Sequence, residues 1–163
     1  MSSTTHRVWV YGDDVNTDLI FPGKYTYTLT DPAAIAAHAL EDLDPGFASA
    51  VAAGDVIVAG RNWGMGSSRE QAVTALRTLG VRLIAAESFG GLYFRNCINQ
   101  GVYPAVVPGL RDHVRTGDTI EWDADAGTIA AAGRVFMLPP LPEQVRAIVR
   151  AGGLLALLRA RAG

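Results

Sequence analysis

The sequence predicts an α/β fold with a parallel βαβαβ core and antiparallel additions. Three observations carry that reading. Residues 55–107 contain three apolar runs rich in β-branched residues, "DVIVAG", "VRLIAAE" and "VYPAVV", with a helical stripe between each pair. Residues 117–138, "GDTIEWDADAGTIAAAGRVFML", read instead as short strands joined by Asp/Gly turns. The 163 residues, 49% hydrophobic and 18% charged, suffice for one globular unit, residues 1–163, with a real core.

The elements follow in order. Val8 to Tyr11 is a short strand, and the polar stretch after it, "GDDVNTDLIFPGKYTYTLT", is too long for a plain connection, which marks it as functional. Asp31 and Pro32 make an N-cap followed by proline at N1, starting a helix that runs to about Leu43 before "DPG" ends it. "DVIVAG" is a strand buried on both faces. Ser68 to Leu79 carries apolar residues at Ala72, Val73, Ala75, Leu76 and Leu79, with Gly80 as C-cap. "VRLIAAE" is the next strand, "FGGLYFRNCINQG" a second helix ending at Gly101, and "VYPAVV" the third strand of the core. Beyond the antiparallel segment, Pro139 to Pro142 is a rigid stop, and a helical tail from about residue 140 breaks at Gly152-Gly153.

Composition narrows the function. The net charge is -2, and the 14 basic residues are scattered apart from Arg159 and Arg161, so the footprint of a nucleic-acid binder is missing. A single cysteine, Cys97, excludes an internal disulfide and any site that needs several thiolates from this chain. "MSSTTHRVWVYGDD" lacks the basic and apolar regions of a secretory signal, and no window is long enough to span a bilayer, so a cytoplasmic location is expected. "AGGLLALLRARAG" reads as a docked terminal helix rather than a membrane anchor.

The chemistry concentrates in "GRNWGMGSSRE", Gly60 to Glu70. It has neither the G-x-G-x-x-G spacing of a dinucleotide site nor the Gly-Lys-Ser/Thr of a P-loop. It does have a capping box, Ser67 at N-cap with Glu70 at N3, and on that signature alone a plain helix start is an even alternative. Gly64 and Gly66 permit positive φ or close backbone approach, and a helix N-terminus favours an anion beside Ser67. Arg69 adds a planar, permanently charged fork suited to a carboxylate. Together these describe a carboxylate site with a serine oxygen close by.

"GRNWGMGSSREQAV", "GDDVNTDLIFPGKY" upstream and "ESFGGLYFRNCINQGVYPAVV" downstream resemble the small subunits of 3-isopropylmalate dehydratases, in the aconitase superfamily. The likeness runs from Val8 to the "AGGLLALL" tail. It implies a swivelling β/β/α domain that covers a large subunit, with the 4Fe-4S cluster held by that partner and no cofactor or metal on this chain. It implies a dehydration and rehydration that moves a hydroxyl between adjacent carbons of a 2-hydroxy di- or tricarboxylic acid, with the cluster iron as Lewis acid. By the same resemblance Ser67 is the catalytic base and Arg69 the carboxylate ligand, with Ser68 and Gly66 beside them. Met65 and Gln71 depart from the pattern, where relatives often carry Cys and His.

"KYTYT", Lys24, Tyr25, Thr26, Tyr27 and Thr28, falls where the resemblance puts a specificity loop. Homoaconitase-like members there resemble Tyr-Leu-Arg-Thr, and Tyr27 stands in the arginine's place. An extra buried carboxylate needs a cation, so tyrosine favours the isopropyl group over homocitrate. Thr17 and Asp18 match a family Thr-Asp, and a turn that shapes the loop is the stronger reading for them than direct catalysis. His6, His38 and His113 lack metal-ligand spacing. Cys97 reads as a small core residue, and Arg95 and Asn96 as packing or a brace for the site.

The leading expectation is a hydro-lyase small subunit in leucine biosynthesis, forming a heterodimer or larger complex with a cluster-bearing large subunit and a small 2-hydroxy dicarboxylic acid. The alternatives are the same chemistry on homocitrate or a methyl-substituted malate, and a carboxylate-binding module without chemistry. The sequence leaves open whether the isolated chain stays alone or forms a homo-oligomer through the surface meant for its partner.

Overall fold

The computed structural model describes residues 3–67 and 69–163. A seven-stranded mixed sheet in the order β4-β3-β2-β1-β5-β6-β7 forms its frame: β1 Thr4–Val10, β2 Val56–Ala59, β3 Leu83–Ala86, β4 Tyr103–Val106, β5 Thr119–Asp123, β6 Thr128–Ala131 and β7 Arg134–Met137. The parallel core is β2, β3 and β4 as expected, and β1 joins it in parallel, with Val8 opposite Val56 and Val10 opposite Val58. β1 begins four residues earlier than its apolar end suggests, because Thr4 to Arg7 pair antiparallel with Trp122 to Thr119 of β5. One strand therefore serves both halves of the sheet.

Both faces of the core strands are buried. Ile57, Ala59, Ile84 and Ala86 pack against helical residues such as Leu40, Phe47, Leu76, Tyr93 and Cys97. Their neighbours Val56, Val58, Leu83 and Ala85 join Val8, Leu110, Ile120 and Ile129 in a second cluster. This is the period-2 alternation of strands, with both faces buried.

Helix α4, Gln71–Thr78, crosses from β2 to β3, and α5, Gly91–Asn99, from β3 to β4. Arg77 in the last turn of α4 and the left-handed Gly80 just beyond it end that helix. Between β1 and β2 the structure departs from the sequence reading. The helix begun at Asp31, whose carboxylate accepts from the Ala34 N–H at 3.1 Å, lasts only from Pro32 to Ala36 (α2) before loosening into turns. Leu40 takes a positive φ and its amide turns to the Ile20 carbonyl at 2.8 Å, which breaks the helical ladder. The long loop before it carries α1, Thr17–Ile20, and a 3-10 turn, Gly23–Tyr25; α3, Phe47–Ala50, follows "DPG".

The tail divides at the predicted place, α6 Glu143–Arg150 and α7 Leu154–Ala162, around left-handed Gly152 and Gly153. Gly101 must be glycine, since a Cβ there would lie 2.7 Å from the Gly152 Cα. No helix among the described residues is long and apolar enough to cross a membrane.

Candidate functional site

The conspicuous loop sits where open α/β sheets place their ligands, beyond the carboxyl ends of the parallel strands. Past β1 and β2 the backbone continues to pair: Asp14 N–H donates to the Arg61 carbonyl at 2.7 Å, Gly64 N–H to Val15 at 2.8 Å, and Thr17 N–H to Met65 at 3.0 Å. On the other side Trp63 N–H donates to the Ser88 carbonyl at 3.0 Å and Gly90 N–H to Trp63 at 2.9 Å. Residues 60–65 are thus clamped between two neighbours. Asp14 and Asn62, both left-handed, face each other with the Asn62 amide donating to the Asp14 carboxylate at 2.8 Å. Opposite Arg61, the backbone N–H of Arg61 at 2.8 Å and then its guanidinium hold the Asp13 carboxyl below the usual range.

Gly64 and Gly66 have φ of +75° and +98°, the left-handed backbone that favours glycine, and Gly64 is also crowded. A Cβ on Gly64 would run into the Tyr93 side chain, and one on Gly66 would stand 3.6 Å from the Thr17 hydroxyl. Tyr93 is buried and its hydroxyl donates to the Ala72 carbonyl at 3.1 Å, tying α5 to α4 beneath the loop. The chain then exposes Met65, Gly66 and Ser67 to solvent. Ser68 lies outside the described residues.

The capping box does not form. α4 starts at Gln71, and Glu70 occupies the cap position in helical geometry, with no side chain capping it among the described residues. The Ala72 and Val73 amides donate to the Arg69 and Glu70 carbonyls at 3.2 and 2.9 Å, so these two are not aimed at Ser67. Tertiary contacts hold the first turn that does form. The Gln100 side chain accepts from the Thr74 hydroxyl at 2.9 Å and donates to the Glu70 carbonyl at 3.0 Å, fixing the first turn one residue past Arg69.

Arg69 turns away from solvent, its side chain 12% exposed. Nη1 donates to the Phe21 carbonyl at 3.0 Å and to the Thr26 hydroxyl at 3.2 Å; Nη2 donates to Asp18 Oδ1 at 2.8 Å. Gln71 Nε2 donates to the Thr26 carbonyl at 2.8 Å. The predicted specificity loop is therefore brought to Arg69 and Gln71, through Thr26 rather than through Tyr27, which is 96% exposed. Between this loop, α2 and α4 lies a cleft of about 650 Å³ lined by Thr26, Tyr27, Ile35, Arg69, Gln71 and Thr74; Ser67 lies outside it.

The remaining loop residues anchor it. The Tyr25 ring stacks on His38 at 4.1 Å and its hydroxyl donates to Glu41 at 3.1 Å, while Lys24 lies over the Tyr25 ring at 5.2 Å. Hydrogen bonds from His38 and then Tyr25 hold the Glu41 carboxyl below its ordinary value. Thr28 is exposed. Thr17 is buried, and its amide bond to Met65 ties α1 to the glycine loop, while Asn16 caps α1 from the Leu19 N–H at 3.0 Å. Asp18 reaches further than loop shaping, since it pairs with Arg69.

Cys97 is fully buried in α5, and burial pushes its thiol well above the ordinary range. Arg95 is exposed and Asn96 half-buried on the same helix. His6 and His113 bond the Gly54 and Gly109 carbonyls, and no cluster of three or more metal-ligating side chains occurs among the described residues. Sequence reasoning missed Gln100 and the role of Gln71. Nothing local marks either one, because their partners lie 26 to 45 residues away.

Known proteins give the site its context. The aconitase C-terminal domain family matches residues 45–109, which contain the glycine loop, α4 and α5. The small subunit of 3-isopropylmalate dehydratase from Pyrobaculum aerophilum is 46% identical over 155 residues, 94% of this chain and 95% of the relative. That of Heliobacterium modesticaldum is 41% identical, covering 96% and 95% of the two chains. The crystal structure of 3-isopropylmalate dehydratase from Methanocaldococcus jannaschii superimposes with a TM-score of 0.90 at 38% identity, over 98% of this chain and 95% of that one.

Proposed function

The chain belongs to the family of 3-isopropylmalate dehydratase small subunits, and from that premise we propose that it carries Ser67 as the base and Arg69 as the carboxylate ligand of a hydro-lyase site completed by a large subunit. One observation supports this reading above others: a serine exposed just past a loop clamped from both sides, two residues from an arginine held with its fork beside the specificity loop. An open rim of this kind suits a surface that another subunit covers.

The chemistry assigned to this chain is a proton transfer and a charge contact. Arg69 binds a carboxylate of the 2-hydroxy dicarboxylic acid and fixes the carbon skeleton. Ser67, as its alkoxide, takes a proton from the carbon next to the one bearing hydroxyl; the freed C–H electron pair forms the alkene as the C–O bond breaks, and the departing hydroxide takes a proton from the large subunit's side of the site and leaves as water. On rehydration the hydroxyl of a water bonds to the carbon that lost its proton, that water's other proton returns to the group that protonated the leaving hydroxide, and Ser67 gives its proton to the carbon that first bore the hydroxyl. A serine alkoxide needs stabilisation. Since the helix amides of Ala72 and Val73 are engaged elsewhere, that stabilisation comes in this reading from the exposed loop and the subunit that closes over it.

The residues of this chain do not fit a 4Fe-4S cluster. Its one cysteine is buried in α5 with a raised thiol, and the ligands belong to the large subunit in this reading. The 650 Å³ cleft favours an isopropyl group over a further carboxylate in this reading, because Ile35 and Tyr27 line it and the one cation among its lining residues, Arg69, is taken up by the first carboxylate.

The test is Ser67→Ala in the assembled two-subunit enzyme with isopropylmalate and homocitrate. Loss of turnover by roughly 10²–10⁴-fold with subunit association retained is the expected result. An active alanine variant removes Ser67 from the mechanism, and homocitrate turnover above that of isopropylmalate overturns the substrate assignment.

A further inference from the structure

The acceptors around Arg69 differ in kind. Nη1 is committed to the Phe21 carbonyl and the Thr26 hydroxyl, both built into the fold: Phe21 is fully buried, and the Thr26 carbonyl is separately held by Gln71. Nη2 goes to Asp18, whose side chain is 72% exposed and carries the only charge among these three acceptors. Asp18 forms no other hydrogen bond among the described residues. A carboxylate presented to Nη2 from solvent is what a bound hydroxy acid would itself offer the same fork.

We propose that Asp18 is an internal stand-in for the substrate carboxylate, aiming and neutralising Arg69 while the site is empty and yielding Nη2 to the substrate as it binds. This rests on the reading of Arg69 as the carboxylate ligand. Asp18 is a positioning residue that also competes with substrate. The specificity loop stays in place during the exchange, because the Nη1 bonds and the Gln71 bond to Thr26 do not depend on Asp18. Gly23 protects the arrangement: a Cβ there would lie 2.7 Å from Asp18 Oδ1 and 3.5 Å from Arg69 Nη1, displacing the carboxylate from the fork.

Asp18→Asn tests the proposal in the assembled enzyme. Asparagine keeps an oxygen for Nη2 and removes the competing charge. The KM for isopropylmalate is expected to fall about two- to fivefold, the scale of a solvent-exposed ion pair, with the change in KM rather than kcat. A second readout needs no turnover: in the isolated full-length chain, amide exchange over residues 25–29 should stay at the wild-type rate in Asp18→Asn and rise in Gln71→Ala. An unchanged or raised KM, or faster loop exchange in Asp18→Asn, overturns the proposal. Arg69→Lys separates it from its premise. If Arg69→Lys raises KM while Asp18→Asn leaves it unchanged, Arg69 remains the carboxylate ligand and the stand-in falls. If Arg69→Lys leaves KM unchanged, both fall together.

Discussion

Gly64→Ala should be among the most damaging single-methyl changes in this chain, and its cost can be worked from two separate terms. At φ +75° an L-residue pays about 1–2 kcal/mol for the left-handed backbone. The added Cβ would also lie 2.6 Å from the Tyr93 Cβ, with the Tyr93 Cγ nearer still. Tyr93 cannot retreat, being 1% exposed and bonded through its hydroxyl to Ala72, so overpacking adds about 1–3 kcal/mol. The sum is about 2–5 kcal/mol, which for a chain of this size lowers Tm by roughly 5–20 °C. Thermal and urea unfolding followed by circular dichroism measure it. Gly91→Ala is the control, since a Cβ there meets nothing within 4 Å, and its effect should stay within about 1 kcal/mol. A Gly64→Ala protein as stable as wild type would refute the close-packed account of the glycine loop.

Two further predictions concern groups outside the site. Burial alone would raise the Asp55 carboxyl, but hydrogen bonds from Arg7, the Ala52 N–H and Trp9 outweigh it and hold the folded value below the ordinary one. Its stabilisation is therefore complete above the unfolded carboxylate's pKa and lost as pH falls through the folded value. Asp55→Asn should cost roughly 1–3 kcal/mol at neutral pH and flatten the acid limb of a Tm-against-pH profile; an unchanged limb would exclude Asp55 as a source of acid lability. Cys97, buried with a raised thiol, should resist a thiol-specific reagent at pH 8 in the native chain and react fully in denaturant, and rapid native labelling would contradict its placement in α5.

Much of the fold was legible because its signals are local. The apolar runs at 55–60, 81–87 and 102–107, short and rich in β-branched residues, fit strands buried on both faces, and Gly152-Gly153 offers the tail a place to break through backbone freedom. The sequence signals misled where a long-range contact competed with a local preference. Ser67 and Glu70 have the right spacing for a capping box, yet the helix begins at Gln71, its first turn tied to Gln100, 30 residues beyond Glu70. Likewise Asp31 and Pro32 start their helix as they should, but nothing in the sequence shows that Leu40 will bond to Ile20 and end it early.

The sequence by itself determined the order of the core strands and the two helices between them, the glycine positions and the residue types that can do carboxylate chemistry, because each depends on side-chain period, backbone freedom or functional group. Tertiary structure alone decided which groups meet. The bond of Asp18 to Arg69 spans 51 residues, and Thr26 receives both Arg69 and Gln71 across 43 and 45. Such pairings exist only once β1 and β2 lie side by side and carry their following loops to the same end of the sheet. The physical reason is that hydrogen bonds and ion pairs act over a few ångströms of space, whereas sequence patterns report only a few residues of chain.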